Sequence, residues 1–222
     1  MVSPTPIFGL LLALHVHAPT PAGIRAPIAM QLEAAEERPE SGFSADEREA
    51  LAARSDIAGV HRIFGIATFV SMVATVWLGD LQYYDRYGIF AAYDDTPCAR
   101  GDAVLDFCGG ETPWPHAIAA TVTMALYVTT AALYLAMPDL PSGVDEGESE
   151  RAKKLRSHRT LRWIHGAGIV LQLLLGPFLA NPEVFGLDRR GDHRLLQGLA
   201  TGHFVIGLVT VTALGWAGWL ML

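Results

Sequence analysis

The sequence predicts an all-α integral membrane protein, a four-helix transmembrane bundle, and three observations carry that prediction. The 222-residue chain is 51% hydrophobic with a mean hydropathy of +0.29, too apolar for an ordinary soluble domain of this length. Its apolar residues are gathered into blocks: residues 63–79, 112–138, 163–182 and 195–222 contain no Asp, Glu, Lys or Arg. A hydrocarbon core of about 30 Å takes about 20 apolar helical residues, with about 17 to 25 tolerated, so each block can cross a bilayer. The first does so narrowly and extends back through Ile57, Val60 and His61, with Arg62 reaching to the headgroups. The net charge of −7 comes from acidic loops and excludes a nucleic-acid partner, which needs a concentrated basic face.

In chain order, residues 6–18 are apolar but too short to span, and small residues and prolines follow as far as residue 26. Residues 1–26 thus read as a signal peptide, although no Lys or Arg precedes Arg25 to form its basic n-region. Residues 27–56 form a polar, acidic segment, and residues 57–222 the four-helix domain. Ser44 and Glu47 have the spacing of a capping box, so the first helix is expected to start near Ala45 and run straight into the membrane. After Gly79 comes a loop, residues 80–113, holding both cysteines; a disulfide between Cys98 and Cys108 is preferred over free thiols. Tyr83, Tyr84 and Tyr87 in that loop are read as interface anchors, as are Trp114, Trp163, Trp216 and Trp219 at the ends of spans. The second helix is predicted from about Trp114 to Met137. A link over residues 138–160 begins acidic and turns basic with Lys153, Lys154, Arg156 and Arg159. The third helix then reaches Ala180 with a kink at Gly176-Pro177. A short loop with Arg189, Arg190 and Arg194 leads to the last helix.

Charge also orients the bundle. Residues 25–62 and 138–162 lie on one side (side A) with eleven Lys and Arg, and residues 80–113 and 183–194 lie on the other (side B) with five. Positive residues favour the cytoplasm, and a disulfide favours the oxidising compartment, so both put side A inside. A cleaved leader gives the opposite orientation; side A inside is the preferred reading. The predicted location is a bacterial cytoplasmic (inner) membrane, with the protein crossing it several times.

Each predicted span carries one histidine: His61, His116, His165 and His203. Ionisable groups at membrane depth are costly and mark functional sites by default. Consecutive spans alternate in direction, so His61 and His165 are expected at one depth near side A, and His116 and His203 at another near side B. Two imidazoles on different helices at one depth can bind one haem iron from opposite faces. Gly65, Ala120, Gly166, Gly168 and Gly207 lie beside these positions and leave room for a flat group. Arg62, Arg159 and Arg162 on side A, and His193 with Arg194 on side B, are expected to meet haem propionates. The plainer reading of each lone histidine is a hydrogen bond between helices, and of each glycine ordinary helix packing. His158, seven residues before His165 on the same helical face, competes with His165 for the side A site.

These four histidines on four successive spans resemble the core of the cytochrome b561 family, over about residues 57–222. The resemblance implies two haems b, held by His61 with His165 and by His116 with His203, and transmembrane electron transfer. It implies an electron donor and an acceptor, each a small reductant or oxidant or a redox protein. The flanking helices of six-helix members are missing, and the loop over residues 80–113 is longer than the family's connections, so donor and acceptor are not carried over.

Two other readings remain open: a membrane reductase or quinol-oxidising subunit with a substrate site at one haem, and a haem-free tetraspan scaffold in an oligomer or larger complex. The basic run over residues 153–162 serves either to steer an anionic donor or only to set topology and touch lipid headgroups. No P-loop, HExxH, GxSxG or CxxCH motif occurs, which leaves ATP hydrolysis, zinc proteolysis, esterase chemistry and covalent haem without sequence support.

Overall fold

The computed structural model describes residues 44–108, 114–139 and 147–221; the expected leader and the acidic segment before Ser44 lie outside them. The chain forms α1 (Ala45–Tyr87), a one-turn α2 (Pro97–Arg100), α3 (Trp114–Ala136), α4 (Glu150–Ala180) and α5 (His193–Trp219), with 3-10 turns at Tyr93–Asp95 and Pro182–Phe185. There is no strand among the described residues. Helices α1, α3, α4 and α5 are each long and apolar enough to cross a membrane. The protein is a multi-pass, all-α integral membrane protein.

Local chemistry fixes where the helices start. At α1 the Ser44 hydroxyl accepts from the Glu47 amide at 3.2 Å, and the Glu47 carboxylate accepts from the Ser44 amide at 2.8 Å. Two amides that no helical carbonyl can reach are thereby satisfied. Ser149 plays the same part for α4, accepting from the Ala152 amide at 3.2 Å. This helix begins at Glu150 and not after residue 160, so the basic link is helical and His158 belongs to α4. Lys153 pairs with Glu150 one turn back, at 3.3 Å on an exposed face. Pro177 stands inside α4, which continues to Ala180.

The first helix also runs further than its charge-free block, through Asp80 and Arg86 to Tyr87. Packing and polar satisfaction account for the extra two turns. Tyr83 and Tyr87 do not anchor the lipid interface; they are buried in a cluster with Leu196 and Ala200 of α5. The Tyr83 hydroxyl meets Thr201 Oγ1 at 2.8 Å, and its ring stacks on Phe204 with centroids 5.9 Å apart. Asp85 and Arg86 are buried charges, each answered by backbone. Asp85 accepts from the amides of Val104 and Leu105, both at 2.7 Å. Arg86 donates from Nε and Nη2 to the Phe107 carbonyl, at 3.1 and 2.9 Å. The Cys98–Cys108 disulfide closes the same loop, so the end of α1 is the template on which the loop folds. Gly88 ends the helix in the left-handed region, at φ 54°, a conformation a side chain would oppose.

In the bundle, α1 packs on both α3 and α5, and α5 packs on α4, while α3 and α4 have little direct backbone contact. The contacts give an antiparallel register. Along α1 and α3, Thr68 meets Thr130, Ser71 and Thr75 meet Thr123, and Gly79 meets His116. Along α1 and α5, Phe69 meets Gly215, Val76 meets Gly207 and Tyr83 meets Thr201. Along α4 and α5, His158 meets Ala217, Gly168 meets Thr210 and Gln172 meets the His203 carbonyl. Large apolar side chains such as Ile63, Val70, Leu135, Leu174 and Val209 stay exposed and form the surface a bilayer covers. Trp114, Trp216 and Trp219 are exposed near helix ends, and Trp163 is exposed partway along α4.

The Asp85 clamp makes the loop testable. Asp85→Ala leaves two amides without an acceptor and is expected to cost about 1–3 kcal/mol, each unmet group being expensive. The measurement is the unfolding temperature in detergent beside wild type. Mass spectrometry of non-reduced peptides should still find Cys98 joined to Cys108, because the crosslink is independent of the clamp.

Candidate functional site

The site is built by imidazoles whose orientation is set by neighbouring helices. His116, in the first turn of α3, donates Nδ1–H to the Thr75 carbonyl of α1 at 3.0 Å. His61 of α1 donates Nδ1–H to the Thr130 carbonyl of α3 at 2.9 Å. His158 of α4 donates Nδ1–H to the Ala217 carbonyl of α5 at 3.0 Å. A carbonyl can only accept, so all three rings are held with the proton on Nδ1 and the lone pair of Nε2 free. That is the state of a metal-binding histidine, whose second nitrogen is commonly tied to a backbone carbonyl.

His116 and His203 face one another across the bundle, from α3 and α5, with ring centroids 6.3 Å apart and planes at 76°. Two imidazoles bound to opposite sides of one metal ion, with bonds of about 2 Å, have centroids about 6 Å apart. The observed separation therefore fits a shared ion. His203 Nδ1 is buried and meets no hydrogen-bond partner among the described residues. An orphaned buried polar atom costs about 1–3 kcal/mol, which a bound group offering a partner removes. Gly79 gives the His116 ring its room, and Gly176 lies within ordinary contact of the His203 ring. A Cβ at Gly79 would lie 3.0 Å from His116 Cε1, and one at Gly176 would lie 3.6 Å from His203 Cε1.

His61 and His165 are not brought together in this way. Phe69 of α1 is level with Gly215 of α5, and His158 bonds to Ala217, on the side A side of that level. The electrostatic neighbours of His61 are His158 and Arg54. His165 is instead level with Tyr127, between Thr123 and Thr130 of α3, and so close to Thr68 of α1. Tyr127 is three residues from Thr130, whose carbonyl holds the His61 ring, so His165 meets α3 about one turn inward of the point where His61 does. His165 Nδ1 meets the Tyr127 hydroxyl at 3.0 Å, and the two rings are edge to face at 5.6 Å. A phenol both donates and accepts, so this bond does not fix the tautomer.

The other sequence-selected residues divide similarly. Arg162 lies over the rings of Tyr134 and Trp163, at 4.4 and 5.0 Å, a cation–π contact across the α3–α4 seam. Arg62 is half-buried directly after His61. His193 does not wait for a propionate: it is buried, and its Nε2 donates to the Ala91 carbonyl at 3.1 Å. Arg194 donates to Gln197 at 3.2 Å. Gly168 and Gly207 serve helix packing, against Thr210 and against Gln172 with Val76, and Gly166 lies against the Tyr127 hydroxyl. The glycines that flank the facing rings, Gly79 and Gly176, were not selected, because neither lies within a turn of a histidine in its own helix.

Among the described residues no three or more His, Cys, Asp or Glu side chains converge on a point that could hold a metal ion. Two histidines alone do not complete the four-coordinate shell of a structural zinc site. They do suit a planar macrocycle that brings its own four nitrogens and leaves two axial positions open. No family model, no curated protein and no solved structure matches this chain.

Glycine substitutions separate the ring seat from ordinary helix surface. Gly79→Val forces its side chain into the His116 ring and is expected to lower stability by about 1–3 kcal/mol, the usual cost of overpacking. Gly59 meets nothing within 4 Å; Gly59→Ala is expected to be neutral or to gain up to about 1 kcal/mol in helix propensity. Thermal unfolding of the two variants in one detergent checks the ranking.

Proposed function

We propose that this protein is a transmembrane electron carrier that holds two non-covalent b-type haems, one near each membrane face. The observation that carries the reading is the His116–His203 pair: two rings facing each other at 6.3 Å, on helices α3 and α5. Supporting it are the backbone carbonyls that leave Nε2 free on His61, His116 and His158. The chemistry a haem supplies when bound is reversible one-electron transfer.

The chain's own residues do the rest. His116 and His203 bind near side B, and His61 binds near side A together with a histidine of α4. Thr75 and Thr130 orient the His116 and His61 rings through their carbonyls, and Gly79 keeps the space beside His116 clear. The apolar faces of the four helices exclude water, so that a charge at each site is set by the protein and not by solvent. Arg62, next to His61, and Arg162, one turn after His158 and three residues before His165, are assigned to haem propionates on side A. For Arg162 this requires leaving the faces of Tyr134 and Trp163 or sharing them.

The reading places the protein in a bacterial cytoplasmic membrane with side A inward, supported by the eleven-to-five excess of Lys and Arg on that side. Outside the four long helices the described residues form a disulfide-closed loop and short connections. In this reading electrons come from a separate donor, a small reductant or a redox protein, and leave to a separate acceptor.

Pyridine haemochrome analysis of purified, haem-supplied protein is expected to give about two non-covalent haems per chain. His116→Ala and His203→Ala should each remove the same one of the two and spare the other. A folded, haem-supplied preparation that stays colourless overturns the proposal and favours a scaffold role.

A further inference from the structure

We infer that the α4 ligand on side A is His158 and not His165, an assignment that rests on the two-haem reading. Three observations converge on it. His158 is the histidine in electrostatic range of His61, whose other such neighbour is Arg54. The contacts of α4 put His158 toward the side A end, opposite Ala217 of α5, while His165 is seven residues further along. At a rise of about 1.5 Å per residue, seven residues are about 10 Å, more than the reach by which two rings can share one ion. Finally, His158 is tied as His61 and His116 are, by Nδ1 to a carbonyl of the adjacent helix, so that Nε2 is left to bind.

The assignment also gives His165 a role of its own. It is buried, and with Tyr127 it makes a direct hydrogen bond across the α3–α4 seam, where the backbones are otherwise apart. In this account His165 is a positioning residue that ties α4 to α3 midway between the two sites, and removing it loosens the seam without removing a ligand. The same placement separates the haem sites widely. His61 lies at the start of the apolar part of α1, and Gly79, on which His116 rests, lies at its end.

The test compares His158→Ala and His165→Ala in the full chain, reading haem content and the low-spin absorption and paramagnetic resonance signatures of the oxidised protein. His158→Ala is expected to lose the side A haem or turn it high-spin, with added imidazole restoring the low-spin signature by filling the vacated place. His165→Ala is expected to keep about two low-spin haems per chain. Loss of a low-spin signature in His165→Ala that imidazole restores there, with His158→Ala intact, overturns the assignment while leaving the two-haem reading in force. Loss in both variants with rescue by imidazole in His165→Ala alone overturns it equally, and rescue in His158→Ala alone supports it. Rescue in neither, with His158→Ala still folded and its side B haem intact, counts against it. A wild type without haem overturns the assignment together with the reading beneath it.

Discussion

A reciprocal bond between α1 and α3 organises the bundle. His61 of α1 donates to a carbonyl of α3, and His116 of α3 donates to a carbonyl of α1. Each carbonyl belongs to a helix whose ladder already uses one of its lone pairs, and the second lone pair takes the imidazole. In lipid no water competes for either partner, so a bond modest in solution becomes a positional constraint. Between the two histidines the seam is filled by Thr68 with Thr130, and by Ser71 and Thr75 with Thr123. Thr68, Thr75 and Thr130 also have a carbonyl four residues back within reach, so each hydroxyl's single proton goes either to that carbonyl or to the facing hydroxyl, and either choice keeps the helices in register. The two helices cannot slide without breaking both ends of this seam together.

The opposite seam is built differently. Helices α3 and α4 meet through long side chains, Tyr127 to His165 and Arg162 over Tyr134, and the backbones stay apart. Close approach belongs to α1 with α3, to α4 with α5, where Gly168 lies against Thr210, and to α1 with α5, where Gly215 lies against Phe69. Glycine in this protein thus draws helices together at some places and holds a ring clear at others, with the same residue type serving both ends. What separates the two uses is the partner: a threonine or phenylalanine side chain of a packed helix in one case, an imidazole in the other.

Much of the fold could be read from blocks of charge-free sequence, because the cost of a charge in lipid is large and leaves a plain mark. Ser44 and Glu47 likewise announced the start of α1, since a capping box is local in sequence. The far end of α1 was not legible in this way. Asp80, Asp85 and Arg86 read as loop by their charge, and the backbone groups of Val104, Leu105 and Phe107, brought back by the loop, make Asp85 and Arg86 tenable inside a folded end. Of the candidate site, the histidines themselves stood out, yet their levels depended on where α4 begins, and that was hidden by a run of basic residues that suits a helix as well as a link. Gly79 and Gly176 carry no local signal: each matters for a ring presented by another helix, and that relation exists only after the chain has packed.

One feature of α1 constrains how a chain of this kind can change. The helix runs without interruption from Ala45 to Tyr87, with His61 and Thr75 on one side of its course and Tyr83, Asp85 and Arg86 at its far end. Each residue advances an α-helix by about 100°. A single inserted or deleted residue between His61 and Asp85 therefore turns one group relative to the other by more than a quarter of a revolution. Loops can lengthen at little cost, but α1 behaves as a shaft on which the ring seat and the loop clamp are cut at a fixed phase. Changes of length that keep this phase come in steps close to whole turns, about seven residues at a time for two turns, so the thickness of membrane this bundle suits is set in coarse increments.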